Sequence, residues 1–475
     1  MRSIPALVVP CFVASFVQAQ HPATIPAPQT AALQATIAIE HVTVIPMTVG
    51  GGVLSDATVV IANGRITALQ GPAPEGATRV DGTGKWLLPG LTDMHVHVPS
   101  DAYMGPKKYP TQGPTLHLDP QHLMTPYIAN GVTQIFNLDA SAGSISQRND
   151  IERGTVSGPH MALAALIDGG SGQGRRANSP SDGRQAVRDA KAEGYEFIKV
   201  YSELDTATYA AIVDEASEQG LKTVGHIPEA FQGNLGSAFV PHFGMVAHAE
   251  EFSKHSKDFS DSDAVHYAQL AKRNGTWLTS SLTTIHWIAS EIRSLDELRA
   301  LPSLKYMHPL VQSKWLMANH YNRDFTLEDA EHFERMAEFQ TRLVRAFLAA
   351  GVPIVAGTDA GTSGVVPGFS LHDELELLAG TGMTNEEALA SATRLPAEWL
   401  GVDGERGTIE VGKAADMVLL DADPLANIAN TRSIHGLVLN GRWLDRTNLD
   451  AMLNELAMWN EANKERFSWP ASPKR

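Results

Sequence analysis

The sequence predicts a (β/α)8 barrel flanked by two β-rich ends. Three observations carry that expectation. Eight short apolar runs alternate with helical segments through the middle of the chain. Strand-and-turn stretches of similar texture stand before and after them. Polar residues interrupt the apolar runs near their C-terminal ends, the end at which barrels of this kind assemble their loops.

The N-terminus is taken first. MRSIPALVVPCFVASFVQAQ carries one charge, Arg2, an apolar stretch from Ile4 to Val17, and a small-residue site at Val17-Gln18-Ala19. That outline predicts a signal peptide over 1–19 and an exported protein, periplasmic or secreted; the rival reading is an unusual N-terminal anchor. Cleavage after Ala19 would remove Cys11, the single cysteine, which excludes disulfides and thiolate chemistry from the mature chain. The Pro/Ala/Gln-rich stretch that follows predicts a disordered spacer over 20–36.

Short strands and turns fill 37–88, with Asn63-Gly64 as a hairpin signal. The same texture returns over 403–446, with a second Asn-Gly turn at Asn440-Gly441. Between them, over 89–402, the expected strands are LTDMHVHV (91–98), GVTQIFNLD (131–139), HMALAALIDG (160–169), FIKVY (197–201), KTVGHI (222–227), MVAHAEE (245–251), TWLTSSL (276–282) and PIVAGTDA (353–360). Helices are expected over 182–193, 207–219 and 327–350. The connection over 283–326 is too long for a simple loop and carries Trp287, Tyr306, Trp315 and Tyr321. It reads either as a helical cap inserted over the barrel mouth or as a surface helical hairpin. A helix and tail are expected over 447–475.

Composition narrows the partners. Of 475 residues, 43 % are hydrophobic and 19 % charged, enough for a large core. A net charge of −16 argues against nucleic acid and against an anionic membrane surface. No uninterrupted apolar run is long enough for a membrane span. A small molecule or short peptide is therefore the expected partner, and assembly as a homo-oligomer is left open.

Strands buried on both faces should be almost wholly apolar, so His95, His97, Lys199, His226, His248 and Asp359 stand out. His95-x-His97 places two imidazoles on one strand face, yet such a pair alone reads equally as coincidence or a hydrogen-bonded core pair. His226 and His248 taken singly read as satisfied core histidines, and Asp359 as a turn cap. Together they fall at one end of five strands, which points to a metal site. Lys199 admits three readings: a metal-bridging carbamate, a lysine snorkelling to the rim, or a Schiff-base amine.

Resemblance sharpens this. LLPGLTDMHVHV is similar to the first-strand signature of the amidohydrolase superfamily, and VPIVAGTDAG resembles its eighth-strand aspartate motif. MTNEEALASATRLPAEWLGVDGERGTIEVGKAADMVLLDADPL resembles its closing helix and return to a small β-sandwich. The "GHI" and "AHAEE" strands are nearest the imidazolonepropionase-like and prolidase-like members. The resemblance covers about 37–445 and implies that the two β-rich ends pair into one β-sandwich domain. It also implies two divalent metal ions, with zinc the chemical default. His95, His97 and Asp359 would hold the more buried ion, His226 and His248 the more exposed one, and N6-carboxylated Lys199 would bridge them. Lys199 marks the two-metal, prolidase-like branch, since imidazolonepropionase itself has one metal and no such lysine.

The implied reaction is metal-dependent hydrolysis of an amide, of dipeptide, X-Pro or N-acyl amino acid type, by a metal-bridging hydroxide. Asp359 would move the proton, and Tyr201, two residues past Lys199, would either donate to the oxyanion or merely pack. His286 and, in DGGSGQGRR, Arg175 or Arg176 are candidate substrate contacts; the plainer reading of the arginines is a solvated loop. A lactone, carbamate, ester or xenobiotic amide is the alternative bond. A non-catalytic scaffold, like the dihydropyrimidinase-related proteins, is the alternative class.

Overall fold

A computed structural model describes residues 36–101 and 116–469. The expected signal peptide, nearly all of the expected spacer and the end of the tail lie outside the described residues. The barrel strands are β1 (Leu91–Val96), β2 (Val132–Asn137), β3 (His160–Asp168), β4 (Phe197–Val200), β5 (Lys222–Gly225), β6 (Phe243–Ala247), β7 (Trp277–Thr279) and β8 (Ile354–Val355). They pair in that order, each parallel to the next. The seam between β8 and β1 closes through Met94 N–H to Ala356 O (3.0 Å), Asp359 N–H to His95 O (2.8 Å) and His97 N–H to Ala360 O (2.8 Å).

The strand faces alternate as a closed barrel requires. Phe136, Ala164, Phe197, Val224, Met245 and Val355 gather inside with Trp399, whose indole stacks on Phe197 at 5.3 Å. Ile135, Leu163, Ile198, Val246, Leu278 and Ile354 face the helices. Lys199 follows Phe197 by two residues and therefore also points inward, one step nearer the C-terminal mouth. Gly357 lets the last strand close: a Cβ there would stand 2.9 Å from the backbone N and Cβ of His95.

The helices form where capping chemistry starts and stops them. Ser179 caps Pro180–Glu193 and left-handed Gly194 ends it. Asp205 caps Thr206–Glu218. Thr326 and Asp329 form a capping box on Leu327–Ala350, which Gly351 terminates at φ 68°. The long connection contains helices Leu282–Arg293, Asp296–Ala300, Pro309–Met317 and His320–Asp324. Asn319 within it donates to Ser363 Oγ and Glu291 Oε2, each at 3.0 Å, tying it to the loop after β8.

Strands from both ends of the chain join in one eight-stranded sheet. Trp86–Pro89 lies between Ile37–Val44, which it pairs in parallel, and Met417–Leu420, which it pairs antiparallel. One face of this sheet, with Ile39, Val59, Ile61, Met417 and Leu419, encloses its own core. Leu88, Val418, Leu420 and Leu437 pack with the barrel's outer core.

Candidate metal centre

The site is built at the C-terminal ends of the strands: His95 and Lys199 lie within the paired segments and the other clustered residues follow them. β1 stops at Val96, β4 at Val200, β5 at Gly225 and β6 at Ala247, so His97, Tyr201, His226 and His248 follow the ladder instead of lying in it. His248 and Asp359 take left-handed backbone angles, φ 77° and 62°. A non-glycine residue is held there at some cost, and here the bend turns each side chain into the mouth.

His95, His97, Lys199, His226, His248 and Asp359 come together. His95 Nε2 lies 3.3 Å from His97 Nε2, 3.5 Å from Lys199 Nζ and 3.3 Å from Asp359 Oδ1. Asp359 Oδ1 is 2.9 Å from His97 Nε2, and its Oδ2 is 3.9 Å from His248 Nε2. The His95 and His248 rings stack at 4.5 Å, and those of His226 and His248 meet edge to face at 5.0 Å. Donor atoms of His95, His248 and Asp359 lie within 4.8 Å of one another, as do those of His226, His248 and Glu251.

These residues fit a cation. Ligand atoms held about 2.0–2.1 Å from one tetrahedral ion stand roughly 3.3–3.4 Å apart, and His95 Nε2 has that spacing to His97 Nε2 and to Asp359 Oδ1. His95 Nδ1, His226 Nε2 and both nitrogens of His248 are buried without a hydrogen-bond partner among the described residues. Burial presses the pKa of His95 and His226 well below the ordinary imidazole value, and that of His248 down to about 3. Neutral imidazole is the ligating form. A proton on His226 Nδ1, shared with Ser202 Oγ at 2.8 Å, leaves the Nε2 lone pair free.

Lys199 is fully buried, with only 1 % of its surface exposed. Desolvation brings its pKa down to about 8, against the opposing pull of Asp359, Asp139 and Glu251. Burial alone would raise Asp359, but His97 against its carboxylate, with His248 and Lys199 behind, holds it down to about 2. Tyr201 packs its ring 4.0 Å from that of His226 and 5.3 Å from Lys199 Nζ. Burial, then the Asp359 charge, pushes its phenol up to about 12, so it keeps its proton at neutral pH.

Three carboxylates beside the cluster were not singled out by sequence reasoning. Asp93 is fully buried beneath His95 and accepts from Thr358 N (2.9 Å) and Thr358 Oγ1 (2.6 Å), tying β1 to the segment that presents Asp359. Its two-residue offset from His95 was the available signal. Glu251 accepts from Ile227 N (2.9 Å) and Lys254 Nζ (2.7 Å) and lies 3.4 Å from His226 Nδ1. Glu374 receives Ser280 Oγ, Leu282 N, Thr283 N and Thr283 Oγ1 and fixes the chain after β7. From the long insertion, Tyr321 comes near enough that the charges of Glu250 and Asp359 add to burial in raising its pKa.

Of the expected substrate contacts, Tyr201 is the one in contact with the clustered residues. Arg175 forks onto Glu193 of the next helix and lies over the Tyr195 ring at 5.4 Å, so its guanidinium is already occupied. Arg176 is exposed beside the end of β3. Their loop is organised by Asp168, which accepts from Gly169 N, Gln173 N and Glu203 N. His286 is exposed and lines a separate cavity with Glu334, Asp373 and Glu376, which holds none of the six clustered residues.

Comparison with known proteins matches the amidohydrolase family over residues 86–444. An imidazolonepropionase of Maricaulis maris (strain MCS10) is 40 % identical over 116 residues, 23 % of this chain and 28 % of the relative's length. One from Stenotrophomonas maltophilia (strain R551-3) is 24 % identical over 83 % of this chain and 93 % of its own. Among solved structures, a Xaa-Pro dipeptidase with bound methionine superposes with a TM-score of 0.65 at 19 % identity, covering 86 % of this chain and 100 % of that one. The bottromycin amidohydrolase AH gives 0.68 at 20 % identity, covering 91 % and 95 %. At these identities the structural likeness is one of fold.

Proposed function

The chain belongs to the amidohydrolase family, and from that membership, with the leader expected over 1–19, we propose an exported, binuclear metal-dependent enzyme that hydrolyses the amide of a dipeptide, an X-Pro substrate or an N-acyl amino acid. The observation that carries the reading is the convergence of four histidines, Lys199 and Asp359 on His95 and His248, with ligand atoms left unpartnered.

His95, His97 and Asp359 would hold one divalent ion, His226 and His248 the other, with Lys199 between. When bound, the ions supply Lewis-acid activation of water and of the substrate carbonyl. Lys199 gains a carboxylate by addition of carbon dioxide to its neutral amine: an N–C bond forms, a proton leaves, and the side chain becomes an anion. Its lowered pKa makes that amine available near neutral pH.

Asp359 takes the proton of the attacking water and delivers it to the leaving nitrogen. Its lowered pKa keeps it ionised at neutral pH. Tyr201, protonated at neutral pH, donates to the oxygen on which negative charge develops. Glu251 orients His226, and Asp93 holds the Asp359 turn through Thr358.

Metal analysis of the purified protein, paired with hydrolysis of X-Pro dipeptides and N-acyl amino acids, tests the reading. Two divalent ions per chain are expected, with turnover abolished in Asp359→Asn. A metal-free, inactive protein with an intact barrel would overturn it, and selective cleavage of lactones or carbamates would change the bond. Recovery from the periplasm or medium with residue 20 at the N-terminus tests export.

A further inference from the structure

A cavity of about 440 Å3 opens beside the metal centre, with His97 and Gly361 in its wall. Its remaining wall is mainly apolar and includes Leu123, Leu310, Val311 and Leu456. These come from helix Pro120–Ala129, helix Pro309–Met317 of the insertion, and the C-terminal helix Arg446–Asn463. The C-terminal helix is fastened to the insertion by Asn460 Nδ2 donating to Lys305 O at 2.9 Å. Trp469 N–H donates to Ser313 Oγ at 2.7 Å, closing the same side.

We infer that this cavity receives a bulky apolar group of the substrate, an alkyl or aromatic arm attached next to the scissile amide. The inference rests on the amide reading above and narrows its substrate class. Two features favour occupation of this cavity by part of a substrate, and its mainly apolar wall favours an apolar part. The volume lies within the range of small-molecule sites, and His97, one-third exposed, is the most open of the imidazole ligands on the side where the cavity begins. Several polar groups in the wall are engaged within the chain: His308 Nδ1 accepts Leu310 N–H, Asp119 caps Gln121 and Lys314 Nζ lies over the Trp469 ring, while His308 Nε2 and Asn460 Oδ1 are buried without a partner among the described residues. Recognition there is mainly by shape and apolar contact, with His308 Nε2 and Asn460 Oδ1 as the two free polar points.

Two ladders test it on the metal-loaded full chain: N-acylalanines from acetyl to hexanoyl, and N-acetyl amino acids from alanine to phenylalanine. On one of them kcat/KM is expected to rise by about fourfold per buried methylene. Val311→Trp, which fills the cavity, is expected to cut the ratio of longest to shortest substrate at least tenfold; a ratio cancels any loss of folded enzyme. Flat ladders with measurable turnover of the shortest substrates, or a ratio preserved in the variant, would overturn the inference and leave the amide reading intact. If no amide is cleaved, the amide reading fails, and the cavity is judged by binding of 4-phenylbutyrate. Wild type is expected to bind it at least tenfold more tightly than Val311→Trp, and equal binding refutes the arm.

Discussion

Two sets of buried polar side chains stand at the same end of this barrel and are built on opposite terms. After β7, Glu374 receives four donors at 2.5 to 3.0 Å, from Ser280, Leu282 and Thr283. Across the mouth, His95, His226 and His248 bury nitrogens with no partner among the described residues, and Lys199 is buried beside them. A fully satisfied buried charge holds a loop in place. An unsatisfied set raises the free energy of the folded chain and is retained only where something else binds it. The first arrangement is a fastening and the second is a receptor, although both read as polar residues among apolar ones.

The widest separation between them is expected from Lys199→Met. Activity should fall by about 10³-fold or more, the scale of losing metal-assisted catalysis, with metal content lost as well. Stability of the chelated protein should stay level or rise, because an apolar isostere replaces a buried amine held by a long contact to His95 Nε2 and by no carboxylate within ion-pair distance among the described residues. A large drop in stability would place Lys199 with Glu374 and break the comparison. Glu374→Gln should do the reverse. Its amide nitrogen would face donors, costing about 2–3 kcal/mol in the denaturation midpoint, while kcat per folded enzyme changes little.

Glu251 stands between the two kinds, since it satisfies Ile227 and Lys254 while lying against His226. Glu251→Gln is expected to weaken binding of a divalent ion at His226 and His248 by about 10–100-fold, read by competition with a chelator, with a smaller loss of stability. Unchanged metal affinity would assign Glu251 wholly to fastening.

Asp93 and Asp359 give the pH version. Burial raises Asp93 to about 7, with Thr358 opposing, whereas Asp359 is held down to about 2. For Asp93 the folded state binds the proton more tightly than the unfolded one. Its contribution therefore declines as pH rises from about 4 to 7, at up to ~1.4 kcal/mol per unit, and is flat above. Asp359 has the opposite sign: its contribution is present above about 4 and is lost as pH falls toward 2. Denaturation of the chelated protein across this range should show both slopes, and Asp93→Asn should remove the one between 4 and 7. An unaltered slope would mean that Asp93 is ionised in the folded chain.

The barrel and six clustered residues were legible because together they interrupt apolar runs at the same end; singly each was ambiguous, and the resemblance gave them their roles. Strand ends were less so: the apolar texture runs through His226 and His248, but pairing stops before them where the backbone turns left-handed at His248. Glu374 lies in the middle of helix Phe369–Gly380, and nothing local distinguishes it from a solvent-facing acid. Its donors are more than 90 residues away. Glu251 is one of two adjacent acids, and only the fold decides which one turns inward.

The smallest effect belongs to the residues on which sequence reasoning placed substrate contact. An arginine in a glycine-rich loop after β3 has the chemistry to clamp a carboxylate, but its partner is decided by the helix that follows. Pro180–Glu193 brings Glu193 back beside the loop, and the two charges pair. The pair is partly solvent-exposed, so its loss should cost about 0–1 kcal/mol in stability. Arg175→Ala should therefore change kcat/KM for any N-acyl amino acid by less than about threefold, and His286→Ala by no more, since Arg175 is paired with Glu193 and His286 lines a different cavity. A rise in KM of tenfold or more in Arg175→Ala, with kcat unchanged, would show that substrate displaces Glu193 from the guanidinium. The third-strand loop would then belong with the receptor set and not the fastened one.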